Sequence, residues 1–346
     1  MKNRINRLIK ILKKKDLDAC FSSNQANIRY LTGIKEIEGW LLFTKAKELF
    51  FFTSPIYAKT INNLSNLKLI VIKSDLIKTL LKEAKKLKLK KIGFSGKDLT
   101  FNLYQKLSTN LAKEQIELLP TNLLIENLRI QKDKKELNLI KKATSVSLEA
   151  FDYIEEISRQ NMTEKDLSIE IERFLKIKSD NKIAFPAIVA SGKNTVFPHH
   201  KPEAVAINDF FLSDLGAMHC GYCSDLTRIF FWGKMPSLFQ KIYDTIKKAQ
   251  DAAIKKIRPG RKASDVDKAA RDIIDKSGFG KYFIHGLGHG VGLEVHEPPY
   301  LKPGSNAILK ENMVVTIEPG IYYKNQLGVR IEDMAIVKPN KCEVIS

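Results

Sequence analysis

The stretch HGLGHGVGLEVHE, residues 285–297, places three histidines within twelve positions and sets His289 between two glycines. Glycine neighbours let a backbone approach closely and leave the imidazole ring accessible. Two acidic segments flank this stretch along the chain: FLSDLGAMHCGYCSDLTR, residues 211–228, and TIEPGIYYKNQLGVRIED, residues 316–333. Several carboxylates combined with few imidazoles are typical of sites for hard or borderline divalent metal ions. The pattern therefore predicts a metal-dependent hydrolase.

The first acidic segment is interpreted as a β-hairpin that turns near residues 219–221. Asp214 and Asp225 are symmetric about the centre of that segment, and Thr227 would share their face. Residues opposed across an antiparallel ladder bring their Cβ atoms to about 4.5–5.5 Å. Two carboxylates at that distance repel each other unless a cation lies between them. The hairpin therefore predicts half of a metal site.

The second acidic segment repeats this geometry. Glu318 and Glu332 are symmetric about Asn325, and Thr316 and Arg330 would share their face. A bulge would shift either hairpin by one residue, so the opposition of each pair is a hypothesis. Four acids in two matched hairpins, beside a histidine, indicate a centre for two metal ions.

The rest of the chain divides into two parts with different patterns. Residues 1–125 alternate short apolar runs with lysine-rich amphipathic stretches, beginning with a helix over Ile5–Lys15, which is typical of an α/β domain. Residues 126–346 carry helices and strands in blocks, which predicts an α+β domain. The helices expected there are 136–157, one that starts at Thr163, 237–257 and 264–276.

The composition narrows the class of protein. The formal net charge is +19, and residues 1–130 hold 25 basic but only 11 acidic side chains. The lysines are spread along predicted helix faces and far outnumber the arginines, so a solvated surface is favoured and no nucleic-acid partner is expected. Four scattered cysteines favour a reducing cytoplasm, and the Cys220-x-x-Cys223 pattern is interpreted as a coincidence in a loop. No apolar run approaches the ~20 residues of a membrane span, so no membrane partner is expected.

The two acidic segments and the histidine segment contain six short motifs: Asp214-x-Gly-Ala, Tyr222 to Asp225-x-Thr-Arg, His285-x-x-Gly-His289-Gly-x-Gly, His296-Glu297, Glu318-Pro-Gly and Arg330-x-Glu332. These motifs resemble those of the pita-bread metallopeptidases, the group that includes methionine aminopeptidase, aminopeptidase P and prolidase. The resemblance implies a pita-bread (creatinase/aminopeptidase-like) catalytic domain over residues 126–346. It also implies a smaller creatinase/prolidase-like α/β domain over residues 1–125, and a homodimer.

The resemblance implies two divalent metal ions per chain, held by five side chains. Asp214 would bind one ion, His289 with Glu318 would bind the other, and Asp225 with Glu332 would bridge the pair. Mn(II) or Co(II) is expected, and Zn(II) and Fe(II) are compatible with the same ligands. Creatinase shares the fold but lacks these ligands, so the intact set argues against a creatinase.

The resemblance also implies roles in catalysis. Glu318 would carry a proton to the departing nitrogen. His199 and His296 would steady the substrate and the oxyanion that forms during the reaction. His285 and Arg330 would orient the substrate or the metal ligands. His285 and the N-terminal domain favour the branch of aminopeptidase P and prolidase over methionine aminopeptidase.

The remaining expectations concern the substrate, a proline-containing peptide. Phe185, followed by Pro186, would form the apolar wall of the substrate pocket, and one residue of the His199-His200 pair is expected at the surface. Tyr300 occupies the position where several dipeptidases carry an arginine that can hold a terminal carboxylate. This departure favours an Xaa-Pro aminopeptidase that acts on longer peptides, with an Xaa-Pro dipeptidase as the alternative. A methionine aminopeptidase and a non-catalytic binding module are the more distant alternatives.

Overall fold

The computed structural model of the chain describes residues 2–35, 37–61, 67–232, 235–324 and 326–346. The chain divides into two units, Met1–Arg129 and Ile130–Ser346. The first unit extends beyond residue 125 because the short helix Glu126–Arg129 belongs to it. The side-chain amide of Asn27 donates a 2.8 Å hydrogen bond to the carboxylate of Glu126, which ties that helix to the rest of the unit.

The first unit contains helices and strands that alternate along the chain. Its helices are α1 (Lys2–Lys14), α2 (Gln25–Thr32), α3 (Pro55–Ala58), α4 (Leu76–Lys86), α5 (Phe101–Ala112) and α6 (Glu126–Arg129). Its strands are β1 (Ala19–Ser22), β2 (Trp40–Thr44), β3 (Leu49–Thr53), β4 (Leu67–Val71), β5 (Lys91–Ser95) and β6 (Glu117–Thr121). They form one mixed sheet in the order β4-β3-β2-β1-β5-β6.

The apolar runs of the first unit become the buried centre of this sheet. All five residues of β3 are buried, as expected for a strand that is covered on both faces. The helical spacing predicted at the N-terminus is present in α1, where Leu8 and Leu12 are fully buried. The α/β interpretation of this part of the chain is therefore confirmed.

The second unit is arranged in blocks, as an α+β domain. Its helices are α7 (Lys134–Ile157), α8 (Glu164–Lys178), α9 (Ser237–Lys256) and α10 (Ala263–Lys276). Its first strands are β7 (Ile188–Ser191), β8 (Phe210–Leu215), β9 (Met218–His219), β10 (Tyr222–Cys223), β11 (Leu226–Phe231) and β12 (Gly288–Gly290). Its last strands are β13 (Glu297–Leu301), β14 (Val314–Ile317), β15 (Gly320–Tyr323), β16 (Leu327–Arg330), β17 (Asp333–Val337) and β18 (Cys342–Val344).

The strands of the second unit pair as two sheets and two ribbons. One sheet has the order β11-β8-β7, and the other has the order β13-β12-β14-β17-β18. The ribbons are β9 with β10 and β15 with β16. An isolated bridge between Thr227 and Glu332 connects strand β11 to the segment just before β17. The segments that carry the predicted metal ligands therefore meet where these sheets adjoin.

The helices of the second unit cover opposite faces of the strands. Alternate residues of β14 separate into two cores, with Val314 in one and Val315 in the other. The core on the side of Val314 is completed by α7 and α8, through residues such as Ile140 and Ile171. The core on the side of Val315 is completed by α9 and α10. Strand β14 is therefore covered on both faces.

The predicted start of α8 is also observed. The Thr163 hydroxyl accepts a 3.1 Å hydrogen bond from the backbone N–H of Asp166, which satisfies one of the free donors of the first turn. A capping box that was not predicted begins α7, where Asp133 and Glu136 each accept a hydrogen bond from the other's backbone. Among the described helices, none is long and apolar enough to cross a membrane.

Candidate metal centre and substrate pocket

The first carboxylate hairpin has a different register from the predicted one. Asp214 lies opposite Thr227 across β8 and β11, and not opposite Asp225. The turn explains the difference, because Cys220 and Gly221 both have positive φ angles, of 48° and 77°. Two consecutive residues in this conformation form a tight two-residue hairpin turn, which fixes the register of the strands that follow.

The corrected register still leaves the two acids on one face. Asp225 lies just before β11, two residues from Thr227, and side chains along extended backbone alternate between faces with a period of two. A shift of two residues therefore changes the partner of Asp214 but not the direction of the Asp225 side chain. Both carboxylates remain available to the same site.

The second carboxylate hairpin has the predicted register. The ladder between β14 and β17 ends one residue before Glu318, and the ladder between β15 and β16 begins two residues after it. Both ladders have the same register, so Glu318 and Glu332 face each other in the gap between them. The predicted centre of the turn, Asn325, lies outside the described residues.

A threonine connects the two hairpins. The Thr227 hydroxyl donates a 2.8 Å hydrogen bond to the Glu332 carboxylate, and the backbone N–H of Glu332 donates to the carbonyl of Thr227 at 3.2 Å. Thr227 is also the residue opposite Asp214. One side chain therefore fixes the separation of acids that are more than 100 residues apart along the chain.

His289 enters the site from strand β12. Its flanking Gly288 is packed so closely that an added Cβ would lie 2.2 Å from the carbonyl oxygen of Thr316. The Thr316 hydroxyl accepts a hydrogen bond from the His289 backbone N–H and donates another to Glu318 Oε1. The His289 Nε2 atom lies 3.3 Å from Glu318 Oε1 and 3.5 Å from Asp225 Oδ2. The close glycine packing thus holds the imidazole directly against two of the acids.

The potential ligand atoms form one continuous cluster. Within the described part of the chain, three groups of side chains have ligand atoms within 4.8 Å of one another. The groups share members, and together they contain all five of the predicted metal ligands and one further histidine. These groups are Asp225, His289 and His296; His289, Glu318 and Glu332; and Asp214, Asp225 and Glu332.

The buried carboxylates of the cluster require a positive charge close to them. Burial, reinforced by neighbouring carboxylates, raises the pKa of Asp225 and of Glu332 well above their ordinary values. The Asp214 Oδ1 atom is buried and has no hydrogen-bond partner among the described residues. Buried acceptors are normally satisfied, and buried anions are normally paired or bound to a metal. The residues therefore fit a divalent cation.

One fixed cation already lies beside the cluster. The guanidinium of Arg330 donates to Asp214 Oδ2 at 2.6 Å, to the Tyr322 hydroxyl at 2.8 Å and to the Thr227 hydroxyl at 3.1 Å. The Tyr322 hydroxyl also lies 3.0 Å from His285 Nε2. Burial raises the pKa of Tyr322 to about 12, so the hydroxyl stays protonated. No sequence pattern singled out Tyr322, although it lies only four residues after Glu318.

The cluster opens into a cavity of about 650 Å³. Every predicted site residue lines it: Phe185, His199, Asp214, Asp225, His285, His289, His296, Tyr300, Glu318, Arg330 and Glu332. The cavity also contains residues that the sequence analysis did not assign: Ile188, Pro198, Ile284, Lys302 and Tyr322. The cavity thus has one acidic end and an apolar wall.

His200 and Glu297 directly follow the site residues His199 and His296, but they point away from the cavity. Of the His199-His200 pair, His199 is exposed, as expected for one of the two, and His200 is buried, with Nε2 2.7 Å from the carboxylate of Glu164. Glu297 also points inwards, and its carboxylate pairs with the buried ammonium of Lys132 at 2.8 Å. Both contacts join residues far apart in the chain, so local sequence patterns gave no signal for them.

The chain is similar to known protein families, to proteins of known sequence and to solved structures. The family model described as "Metallopeptidase family M24" matches residues 138–339, and the one described as "Creatinase/Prolidase N-terminal domain" matches residues 4–131. An Xaa-Pro dipeptidase from Pyrococcus furiosus is 32% identical over 344 residues, which cover 98% of this chain and 96% of that protein. A putative Xaa-Pro aminopeptidase from Mycoplasma genitalium is 34% identical over 356 residues, covering 99% and 96%. The structure of an Xaa-Pro dipeptidase from Bacillus anthracis superposes with a TM-score of 0.93 at 33% identity, covering 99% and 97%.

Proposed function

The chain belongs to metallopeptidase family M24, and on that premise we propose that it hydrolyses the peptide bond before proline in Xaa-Pro dipeptides at a dinuclear metal centre. The observation that carries the proposal is the convergence of four acids and His289 at one end of a cavity with an apolar wall. An extended peptide can place its carbonyl at the acidic end and its pyrrolidine ring against that wall.

The proposed preference for dipeptides rests on the similar proteins, whereas the sequence pattern favoured longer peptides. Tyr300 favoured an aminopeptidase, because it replaces an arginine expected in dipeptidases. The relatives and solved structures that match nearly the whole chain include several named as dipeptidases or prolidases, which supports the dipeptidase more strongly. An Xaa-Pro aminopeptidase is the second candidate, supported by Tyr300 and by relatives with that name.

The metal ligands are assigned by the cluster geometry together with the family membership. Asp214 would hold one ion, His289 and Glu318 the other, and Asp225 with Glu332 would bridge them. When bound, divalent ions supply a Lewis acid for the carbonyl and a nucleophile that is effective at neutral pH. Mn(II) or Co(II) is proposed because oxygen-rich sites with one or two imidazoles suit these ions, and Zn(II) or Fe(II) would fit the same ligands.

The remaining polar residues would transfer protons and stabilise the negative charge that develops on the substrate. Glu318 faces the cavity and contacts His289, so it is placed to receive a proton and to deliver it to the departing proline nitrogen. His199 and His296 line the cavity and can donate to the substrate carbonyl oxygen as negative charge develops on it. Arg330 would hold Asp214 in position, and His285 would hold Tyr322 in position.

The apolar wall would provide the selectivity for proline. Phe185, Pro186, Ile188 and Pro198 line the cavity together, and none of them can hydrogen-bond through its side chain. A tertiary amide such as the Xaa-Pro bond has no N–H to satisfy, so it loses nothing at such a wall. A secondary amide would bury an unpaired donor there, which is unfavourable.

Two further expectations accompany this proposal. The family relationship supports a homodimer, and four free cysteines support a reducing compartment such as the cytoplasm. The molar mass of the purified protein in solution tests the first of these expectations directly.

Cleavage of matched peptides tests the proposed function. The purified protein, loaded with Mn(II) or Co(II), is incubated with Ala-Pro or with Ala-Pro-Ala, and the products are identified by mass spectrometry. The proposal predicts release of alanine and proline from the dipeptide, with slower cleavage of the tripeptide, and no cleavage by the Asp225→Asn variant. Cleavage of the tripeptide alone would establish the aminopeptidase, and no cleavage of either by metal-loaded protein would refute both candidates.

A further inference from the structure

Strand β13 directs two side chains into the cavity. Tyr300 lies directly opposite His289 in the ladder between β12 and β13, so both side chains point to the same side. Leu301 points the other way and is fully buried in the core. Lys302, one residue later, returns to the side of Tyr300, and both residues line the cavity. The alternation of the strand therefore places a lysine at the position two residues after the tyrosine.

The base of the Lys302 side chain is held against the cavity wall. A Cβ atom added to Gly286 would lie 2.8 Å from the Cβ atom of Lys302, so the backbone at Gly286 packs directly against it. At the other end, the Lys302 ammonium lies 5.6 Å from the centre of the Tyr300 ring. Cation–π attraction at this distance favours that position of the ammonium.

Among the described residues, Lys302 is the lysine or arginine of the cavity that pairs with no carboxylate. Among the described residues that line the cavity, the lysine and arginine side chains are Lys302 and Arg330. Arg330 is buried and already donates to Asp214, Tyr322 and Thr227. No carboxylate in the described part of the chain forms an ion pair with Lys302, which is exposed to the cavity and to solvent. An anionic ligand could therefore bind it without breaking a bond inside the protein.

We propose that Lys302 binds the terminal carboxylate of the substrate and thereby sets the preference for dipeptides. This inference rests on the proposed function, because it concerns the same cavity. In an Xaa-Pro dipeptide the carboxylate is on the same residue as the nitrogen of the scissile bond, so it enters the cavity with the proline ring. In a longer peptide a neutral amide takes that place and gains no charge-assisted hydrogen bond. Lys302 thus supplies the positive charge that Tyr300 lacks.

A matched pair of substrates isolates this contact. Ala-Pro and its amide, Ala-Pro-NH2, have the same scissile bond and differ only in the terminal charge. The values of kcat and KM are measured for both with the Mn(II)-loaded, full-length enzyme at low and high salt concentration. The wild-type enzyme is expected to prefer the acid by about 10-fold or more in kcat/KM, since a hydrogen bond to a charged group contributes on this scale. That preference should shrink at high salt.

Three variants separate the contact from general effects. Lys302→Met should reduce the preference for the acid to near one, mainly by raising KM for Ala-Pro, and Lys302→Arg should retain most of the preference. Lys310→Met removes an exposed lysine that does not line the cavity, and it should keep the wild-type preference. Thermal melting of each variant shows whether the fold is intact.

The outcomes distinguish this inference from the proposed function. If the wild-type enzyme cleaves both substrates equally, or if Lys302→Met keeps the preference for the acid, the role of Lys302 is refuted while the peptidase function stands. An equal loss of activity of Lys302→Met on both substrates would also refute it. If the wild-type enzyme cleaves neither substrate, the proposed function itself fails, and the inference fails with it.

Discussion

Thr227 and Glu332 are 105 residues apart in the sequence, and their side chains are joined by a hydrogen bond of 2.8 Å. Their backbones also form an isolated β-bridge. This contact brings the two carboxylate hairpins into one site, because Thr227 lies opposite Asp214 in the first hairpin and Glu332 belongs to the second. The Thr227 hydroxyl therefore helps to hold the two acidic hairpins together.

Removing this hydroxyl should weaken metal binding. The Thr227→Val substitution keeps the shape of the side chain but removes the donor to Glu332 and the acceptor for Arg330. We expect the affinity for Mn(II), measured by isothermal titration calorimetry, to fall about 10-fold to 100-fold, as for other residues that orient metal ligands. Thr227→Ser keeps the hydroxyl and should bind almost as the wild type does. Equal affinity in all three proteins would show that the hydroxyl does not position Glu332.

Removing the charge of Arg330 should destabilise the protein. The Arg330→Met substitution leaves the buried carboxylate of Asp214 without its 2.6 Å partner. Breaking a buried ion pair from one side costs about 3–5 kcal/mol, and we expect a loss of this size in the free energy of unfolding of the metal-free protein. Urea denaturation measures the change.

A surface arginine provides the control for that experiment. Arg173 forms an exposed pair with Glu170 on helix α8, and exposed pairs contribute about 0–1 kcal/mol. Arg173→Met should therefore have little effect on unfolding. If both variants lose a similar amount of unfolding free energy, the cost of removing Arg330 does not come from its burial.

The stability gained from metal should depend on pH. The pKa values of Asp225 and Glu332 are raised in the folded, metal-free protein, first by burial, so the folded state holds protons more tightly than the unfolded state does. The metal-free protein should then lose stability as the pH rises from the ordinary values of 3.8 and 4.5 towards the raised ones. Bound metal replaces those protons, so the difference in melting temperature between the Mn(II)-loaded and metal-free proteins should widen from pH 5 to pH 8. A constant difference would contradict the raised pKa values.

Glu164 should support the position of His199. Its fully buried carboxylate accepts hydrogen bonds from the backbone N–H groups of Ser191 and Glu203 and lies 2.7 Å from His200. These contacts fix both ends of the segment that carries His199 into the cavity. Glu164→Gln turns an acceptor into a donor, and we expect it to cost about 1–3 kcal/mol of stability and to lower kcat/KM for Ala-Pro.

A double-mutant cycle distinguishes positioning from a general loss of structure. Glu164→Gln should reduce kcat/KM less in the His199→Ala background than in the wild type, since the residue that it positions is already gone. The exposed residue Glu156 on helix α7 offers a control, and Glu156→Gln should behave as the wild type. If the reductions in the two backgrounds are equal, Glu164 does not act through His199.

Local patterns predicted most of the fold. Helical spacing located the first helix of the first unit and the four long helices of the second. The family resemblance gave the expectation of an α/β domain followed by a pita-bread catalytic domain, and this expectation is confirmed. The symmetry of Glu318 and Glu332 also gave the correct register, because the ladders on both sides of this pair share one register.

The errors came from conformations and contacts that local patterns do not record. The predicted register of the first hairpin was wrong by two residues. Cys220 has a positive φ angle in the turn, and cysteine rarely adopts one. Local patterns also could not show which residue of the His199-His200 pair is buried, because the partner of His200, Glu164, is 36 residues away in the sequence. Lys302, in contrast, could have been found by counting two residues along the strand from Tyr300. The alternation of a strand is visible in the sequence, whereas a tertiary partner is not.

The most direct test of the dinuclear centre is to count the metal ions while measuring hydrolysis. Metal-free protein is titrated with Mn(II), and the number of bound ions, from native mass spectrometry, is compared with the rate of Ala-Pro cleavage at each step. We predict two ions per wild-type chain and cleavage that increases with occupancy. The Asp225→Asn variant should bind fewer ions and should not cleave the peptide. Full cleavage by protein free of metal, or a fully active wild-type chain that binds fewer than two ions, would contradict the assignment of these carboxylates as a dinuclear catalytic site.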